Sequence, residues 1–113
     1  MRPSFALIII TIGSTLPAIR AVAEEHVVSQ NNMQFLVKDA KAETMTIKVG
    51  DEVVFRNDDR LVHNVYSRTP GFEFDLGTMR RGTSGKHTFA KAGSVDIECA
   101  IHPHMKFKIQ IQP

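Results

Sequence analysis

Two stretches near the C-terminus alternate between apolar and polar residues with the period of a β-strand. Residues 95–99 place valine, isoleucine and cysteine against two acidic residues, and residues 105–112 place methionine, phenylalanine and two isoleucines against lysines and glutamines. Successive side chains of a strand point to opposite faces. The pattern therefore predicts two half-buried strands joined by a short loop, with Cys99 and Met105 projecting inward at the two ends of that loop.

Strand-like patterns also cover much of the rest of the chain. Residues 26–38 predict two strand pieces around a bend at Asn31 and Asn32, and residues 44–49 and 53–55 predict a pair around the turn residues Gly50 and Asp51. Further strand signals lie at residues 61–66 and 72–77 and from residue 87, and no stretch has the pattern of a long helix. Seven or eight short strands separated by turn signals indicate an all-β antiparallel sandwich.

Two polar segments are interpreted as connections. Residues 56–60 are polar and charged between two apolar runs, which predicts a solvated loop, and the glycine-rich basic residues 79–85 predict an exposed loop. In the strand that follows the first of these loops, Leu61, His63 and Val65 should share one face. By itself, a single histidine among apolar neighbours is more often a structural residue than a ligand.

Residues 1–23 have the pattern of a secretory signal peptide. Arg2 provides a positive start, residues 5–12 an apolar run, and residues 21–23 the small-residue pattern Ala-Val-Ala that precedes a cleavage site. The apolar run is shorter than the ~20 residues that span a bilayer. We therefore expect a signal peptide at 1–23 and a single exported domain at 24–113, periplasmic and not inserted in the membrane.

The charge of the chain gives no support for nucleic-acid binding. The full sequence has 14 basic and 12 acidic residues, and removing residues 1–23 would remove Arg2 and Arg20 but no acidic residue. Twelve residues of each sign would remain, so the domain would be nearly neutral. Neither nucleic acid nor an anionic membrane is predicted as a partner.

The single cysteine, Cys99, needs an explanation in an exported protein. It has no second cysteine with which to form an internal disulfide. It is predicted to face inward, and two histidines and a methionine follow it within the next six positions. Metal coordination explains this combination better than an inert buried thiol does.

The ligand types in this loop suit copper. An ion that alternates between Cu(I) and Cu(II) is well served by two imidazoles, one thiolate and a weak axial thioether. The loop provides Cys99, His102 and Met105, and the second imidazole must come from an inward-facing position on a neighbouring strand end. His63 meets that requirement, so the predicted metal ligands are His63, Cys99, His102 and Met105.

These residues resemble the small type 1, or blue, copper proteins, the cupredoxins, especially their plastocyanin-like and amicyanin-like members. The resemblance extends from residues 49–55 through His63 and Asn64 to the 99–105 loop. The two-residue gap between His102 and Met105 is similar to the short amicyanin-type loop. Residues 99–103 also resemble plastocyanin-like proteins associated with methylamine utilisation.

The resemblance implies a Greek-key β-sandwich that holds one copper ion near one end. It implies His63, Cys99 and His102 as equatorial ligands, Met105 as the long axial ligand, and Asn64 as a residue that ties the two ligand loops together near the thiolate. It further implies that the ring edge of His102 is the route for electrons. His104 departs from the amicyanin pattern, and it is an exposed neighbour, an alternative ligand or a pH-sensitive element.

The predicted function is one-electron transfer between redox proteins, without enzymatic activity, by a protein expected to be a monomer. Under the resemblance, a dehydrogenase would be the donor and a c-type cytochrome the acceptor. Two other functions stay open: copper tolerance or delivery, which uses the same ligands, and a metal-free interaction domain.

Overall fold

The computed structural model describes residues 2–15 and 23–113. Residues 2–15 have no regular secondary structure, and the large apolar side chains of the 5–12 run are exposed. Ala21 and Val22 of the predicted cleavage site lie outside the described residues, so the signal peptide stays a prediction. In the described ranges, no helix is long and apolar enough to cross a membrane.

Ten strands form two five-stranded sheets in the described part of the chain. The strands are β1 (Glu25–Asn31), β2 (Gln34–Val37), β3 (Ala40–Lys41), β4 (Thr44–Lys48), β5 (Glu52–Asn57), β6 (His63–Ser67), β7 (Phe74–Met79), β8 (Ser84–Thr88), β9 (Gly93–Glu98) and β10 (Lys106–Gln112). One sheet has the order β3-β2-β1-β5-β8 and the other β4-β10-β9-β6-β7. The all-β sandwich predicted from the sequence is confirmed.

The sheets are mixed, which differs from the wholly antiparallel arrangement that was expected. Strand β1 pairs in parallel with β5, and β4 pairs in parallel with β10, while the other pairings are antiparallel. The period of two in a sequence shows which face of a strand is buried, but it carries no information about the partner. The structure has ten strands where seven or eight were predicted, and one of the additional strands is the two-residue β3, which follows the two strand pieces predicted in residues 26–38.

The turn between β1 and β2 brings the backbone into an unusual conformation. Asn31 pairs with Gln34, so Asn32 and Met33 form a two-residue turn, and both have positive φ angles, of 50° and 55°. Such turns match the twist of a hairpin, and asparagine tolerates this region better than methionine does. The Met33 N–H is therefore held in a fixed direction at this end of the sandwich.

The predicted loop boundaries change in two places. Met79 belongs to β7 and is only 3% exposed, and β8 begins at Ser84, so the exposed connection is residues 80–83 and not 79–85. Strand β6 begins at His63, and Leu61 is 45% exposed instead of sharing the buried face of His63 and Val65. Both errors occur where a strand and a loop meet, which local patterns locate poorly.

The core lies between the two sheets and is built from the alternating apolar positions. It includes Val53 and Phe55 of β5, Val95 and Ile97 of β9, and Ile109 of β10, all completely or almost completely buried. Strand β1 runs parallel to β5, so their C-terminal ends meet the start of β6 and the loop from β9 to β10 at one end of the sandwich. The first residues of β1 and β5 lie at the opposite end.

Replacing Ile109 by alanine tests this core. Ile109 is 0% exposed, so Ile109→Ala should lower the free energy of unfolding of the copper-free protein by about 2–5 kcal/mol, through lost burial and a new cavity. Urea denaturation measures the change. The adjacent Gln110 is exposed, and Gln110→Ala should stay within about 0.5 kcal/mol. Equal losses in the two variants would contradict the assigned faces of β10.

Candidate metal centre

The loop from β9 to β10 contains the predicted cysteine, histidine and methionine ligands. Cys99 is 1% exposed and Met105 2% exposed, as the alternation predicted. The Met105 N–H donates to the His102 carbonyl at 2.9 Å, and the Cys99 N–H lies 3.4 Å from the Met105 carbonyl. These backbone contacts close the loop, so the Cys99, His102 and Met105 side chains start from one small region.

His63 begins β6 and is completely buried. Its Nε2 atom lies 2.8 Å from Asp59 Oδ2. An ionised carboxylate can only accept a hydrogen bond, so Nε2 carries a hydrogen and donates a hydrogen bond to Asp59. In this tautomer the other ring nitrogen, Nδ1, carries no proton and is free as an electron-pair donor.

Three donor atoms converge at one end of the sandwich. His63 Nδ1 lies 3.0 Å from His102 Nδ1, and Cys99 Sγ lies 3.8 Å from the first and 3.9 Å from the second. These separations match donors that share one first-row metal ion at about 2.0–2.3 Å. The structure thus brings His63, Cys99 and His102 together, and Met105 is buried beside them in the same loop.

The electrostatic environment keeps His102 in the form that binds a metal. Partial burial, followed by the nearby imidazoles of His63 and His104, lowers the pKa of His102 below its ordinary value of 6.5. The ring is therefore neutral at neutral pH and can donate an electron pair. His104 does not join the three converging donors: it is exposed, and its ring centroid lies 6.2 Å from that of His102.

Asn64 connects the two segments that carry the donors, as predicted. Its backbone N–H donates to Cys99 Sγ at 3.4 Å, and its side-chain Oδ1 accepts the Ala100 N–H at 2.9 Å. Its Nδ2 group donates to Asp75 Oδ1 at 2.9 Å, which fixes the orientation of the amide. The role of Asp75 has no signal in the sequence, because it depends on the pairing of β6 with β7.

The pairing of β6 with β7 is regular at His63 and Asn64 and shifts its register directly after Asn64. The ladder between β6 and β7 is irregular between Asn64 and Tyr66, and Asn64 is only 8% exposed although it follows the buried His63. The regular register places the side chains of these two residues on opposite faces, and the contacts with Ala100 and Asp75 bury Asn64 on its own face. Irregularities of this kind re-aim side chains, and this one affects the residues that follow Asn64.

Asp59 is the functional residue that the sequence interpretation missed. The sequence predicts a solvated loop for residues 56–60, yet Asp59 is 6% exposed, and Asn57 in the same segment is completely buried. Burial acts to raise the pKa of Asp59, but the Met33 N–H, the His63 side chain and the Leu61 N–H outweigh it and lower the pKa to about 2. Asp59 is therefore ionised at neutral pH. Its four-residue spacing from His63 was the only available signal, and it is weak.

The fold and this donor set define the class. A two-sheet β-sandwich with two histidines and a cysteine converging at one end, and a methionine buried beside them, is a cupredoxin with a site suited to a type 1 copper ion.

Comparison with known proteins gives the family. The chain is 36% identical over 83 residues to amicyanin-alpha of Methylorubrum extorquens, a match covering 67% of this chain and 70% of that protein. A reduced amicyanin variant superposes with a TM-score of 0.68 at 26% identity, covering 84% and 87% of the two chains. A second reduced variant gives 0.67 at 27% identity, covering 78% and 82%. No protein-family model matches the chain. The chain belongs to the amicyanin family of cupredoxins, as its ligand loop predicted.

Removing the charge of Asp59 should destabilise the protein in a pH-dependent way. The folded state holds the pKa of Asp59 at about 2 instead of 3.8, so its carboxylate stabilises the fold above about pH 4, and this contribution disappears as the pH falls toward 2. At pH 7, Asp59→Asn should cost on the order of 2 kcal/mol of unfolding free energy in copper-free protein. Asp58→Asn, at an adjacent less buried site, is the control. The unfolding free energies of wild type and Asp59→Asn should approach each other below pH 4. If they do not, the lowered pKa of Asp59 is contradicted.

The amide of Asn64 should contribute to stability through the ligand loop. Asn64→Ala removes the acceptor of the Ala100 N–H and the donor to Asp75, so the unfolding free energy of copper-free protein should fall by about 1–3 kcal/mol. Thr78 lies opposite Asn64 on β7 and is exposed, so Thr78→Ala is the matched control. Similar urea midpoints for the two variants would show that the Asn64 side chain does not hold the loop.

Proposed function

We propose that this protein is an exported type 1 copper protein that carries one electron at a time between redox proteins of the periplasm. The observation that carries the proposal is the buried convergence of His63 Nδ1, His102 Nδ1 and Cys99 Sγ, in a chain of the amicyanin family. Bound copper supplies a centre that alternates between Cu(I) and Cu(II) and so stores one electron. No bond is made or broken in a substrate, so the protein is not an enzyme.

His63, Cys99 and His102 would hold the ion, and the thioether of Met105 would add a weaker donor. With four protein donors in place, no position stays open for a substrate, in contrast to catalytic metal sites. This favours electron storage over chemistry on a bound molecule.

The protein prepares these ligands before the ion binds. Asp59 fixes the ring of His63, and the Asn64 N–H points at the cysteine sulfur. A hydrogen bond donated to a thiolate sulfur stabilises its negative charge and so affects the reduction potential of the bound copper. Because both groups are held by the sandwich, the ligands need little rearrangement when the charge of the site changes.

The His102 edge is the proposed route for electrons. His102 is only partly buried, and exposed apolar side chains lie at this end of the molecule, including Ile101 at 47%, Leu61 at 45% and Val62 at 39% exposure. Small apolar contacts suit short-lived redox complexes. A dehydrogenase donor and a c-type cytochrome acceptor fit this proposal, and the carrier acts as a monomer.

The position of the strands along the chain supports this proposal of export. The exposed apolar run 5–12 makes up part of a segment that lies outside all ten strands, and residues 25–112 contain both sheets complete. Cleavage after Ala23 would thus leave the whole sandwich intact, as domain 24–113.

One observation favours the alternative function of copper tolerance or delivery. His104 is exposed, and its ring lies beside that of His102. It is therefore placed where an ion could be passed from the surface toward the site, or released from it. A carrier, in contrast, retains its ion through many cycles of reduction and oxidation.

Optical and EPR spectra of the copper-loaded protein test the proposal. We expect an intense visible charge-transfer band from the thiolate that disappears on reduction and returns on oxidation, with the copper retained. Cys99→Ser should abolish the band, and His104→Ala should preserve it, because His104 is not among the converging donors. A colourless protein that binds only Cu(I), or one that readily surrenders its copper, would favour the delivery function. Unchanged spectrum and copper content in Cys99→Ser would favour the metal-free domain.

A further inference from the structure

A second cluster of ligand groups surrounds the buried carboxylate of Asp51, at the end of the sandwich opposite the copper ligands. Asp51 is 5% exposed. Its Oδ1 atom accepts the Glu24 N–H at 3.0 Å, and its Oδ2 atom lies 2.9 Å from His26 Nε2 and accepts the Lys48 N–H at 2.9 Å. One carboxylate thus orients both a backbone nitrogen and an imidazole.

The side chains of this cluster are spaced for a shared ion. One ligand atom from each of Glu24, His26 and Asp51 lies within 4.8 Å of the other two. Donors about 2.0–2.1 Å from one ion are at most about 4 Å apart, so the cluster needs to contract by less than about 1 Å. Glu24 is exposed and His26 is half-buried, which gives an ion access from solvent.

Signal-peptide cleavage would change the chemistry of this cluster. In the uncleaved chain the nitrogen of Glu24 belongs to an amide, whose electron pair is delocalised into the carbonyl and does not bind metals well. Cleavage after Ala23 converts the same atom into a free α-amine, a good nitrogen donor whose ordinary pKa is about 7.7–8.0. This amine would form 3.0 Å from a buried carboxylate oxygen, with His26 two residues further along the chain.

We propose that the mature N-terminus forms a second copper site, in which the α-amine of Glu24, the imidazole of His26 and the carboxylate of Asp51 bind Cu(II). The proposal depends on the export and cleavage put forward above. The carboxylate of Glu24 is available as a fourth ligand. Cu(II) displaces the protons of the α-ammonium group and, where it is protonated, of the imidazole, and no electron is transferred in the binding step.

The ligand types determine which oxidation state this site holds. Nitrogen and oxygen donors favour Cu(II) in tetragonal geometry, whereas Cu(I) prefers the thiolate and thioether that are absent here. Strand β1 separates the two ends of the sandwich by about 20 Å, so filling one site leaves the ligands of the other unchanged. The precursor lacks the amine, so a site with this set of donors forms only after maturation.

The experiment uses the full chain expressed with its leader, purified after export and processing. An intact mass identifies the first residue. One equivalent of copper fills the type 1 site, and a second equivalent of Cu(II) is then followed by EPR and calorimetric titration. We expect the second equivalent to give an ordinary tetragonal Cu(II) signal, with the blue absorption band unchanged.

Three variants locate the second ion. His26→Gln removes the imidazole, and a glycine inserted between Ala23 and Glu24 moves the amine away from Asp51, so each should abolish specific binding of the second equivalent. Asp51→Asn should weaken it by about 10- to 100-fold or more. The blue band of each variant reports that the sandwich is folded. His87→Gln, which changes a half-buried histidine on β8, is the control and should bind both equivalents.

Several outcomes would overturn the proposal. They are a processed chain that does not begin at Glu24, binding that survives His26→Gln or the glycine insertion, binding that is lost in His104→Gln, or Asp51→Asn with undiminished affinity. A blue protein that takes up only one copper ion would refute the second site alone. Absence of the blue band, with a tetragonal signal that still depends on His26, would refute the type 1 proposal alone.

Discussion

The copper end of this protein depends on the hydrogen bond between His63 and Asp59. The carboxylate accepts a hydrogen bond from Nε2, and so determines which nitrogen of a completely buried ring faces Cys99 and His102. A buried charge is costly unless it is paired and hydrogen-bonded. Here the Met33 N–H, presented by a turn with positive φ angles, and the Asn57 side chain, which accepts the Asp59 N–H, complete the arrangement. His63, on the sheet that contains β6, is therefore oriented by the β1–β2 turn and the end of β5, which belong to the other sheet.

A second set of hydrogen bonds joins the ligand segments to each other. Asn64 follows His63 in the chain, yet its backbone contacts the sulfur of Cys99 and its side chain holds the residue after the cysteine. Asp75 on β7 holds that amide in turn. The loop from β9 to β10 is thus tied to β6 independently of any metal. Such outer contacts orient ligands and tune the metal they hold.

A buried aspartate paired with a histidine lies at each end of β5, and the two pairs have different roles. Asp51 precedes the strand and Asp59 follows it, and each is buried and paired with one histidine. The Lys48 N–H, the His26 side chain and the Glu24 N–H lower the pKa of Asp51 to about 2, as a comparable set does for Asp59. Asp51 holds the turn before β5 and the residue that precedes β1. Asp59 orients the His63 ring for metal binding.

The sequence by itself determined the local features: the strand faces of β9 and β10, the inward direction of Cys99 and Met105, the ligand loop, and the family that this loop indicates. These follow from side-chain period and from ligand type, which depend only on neighbouring residues. Tertiary structure alone decided the parallel pairing of β1 with β5, the burial of Asp59, and the contact of Asp75 with Asn64. Each depends on which strands lie side by side, and a polar residue that is solvated in one pairing is a buried hydrogen-bond partner in another.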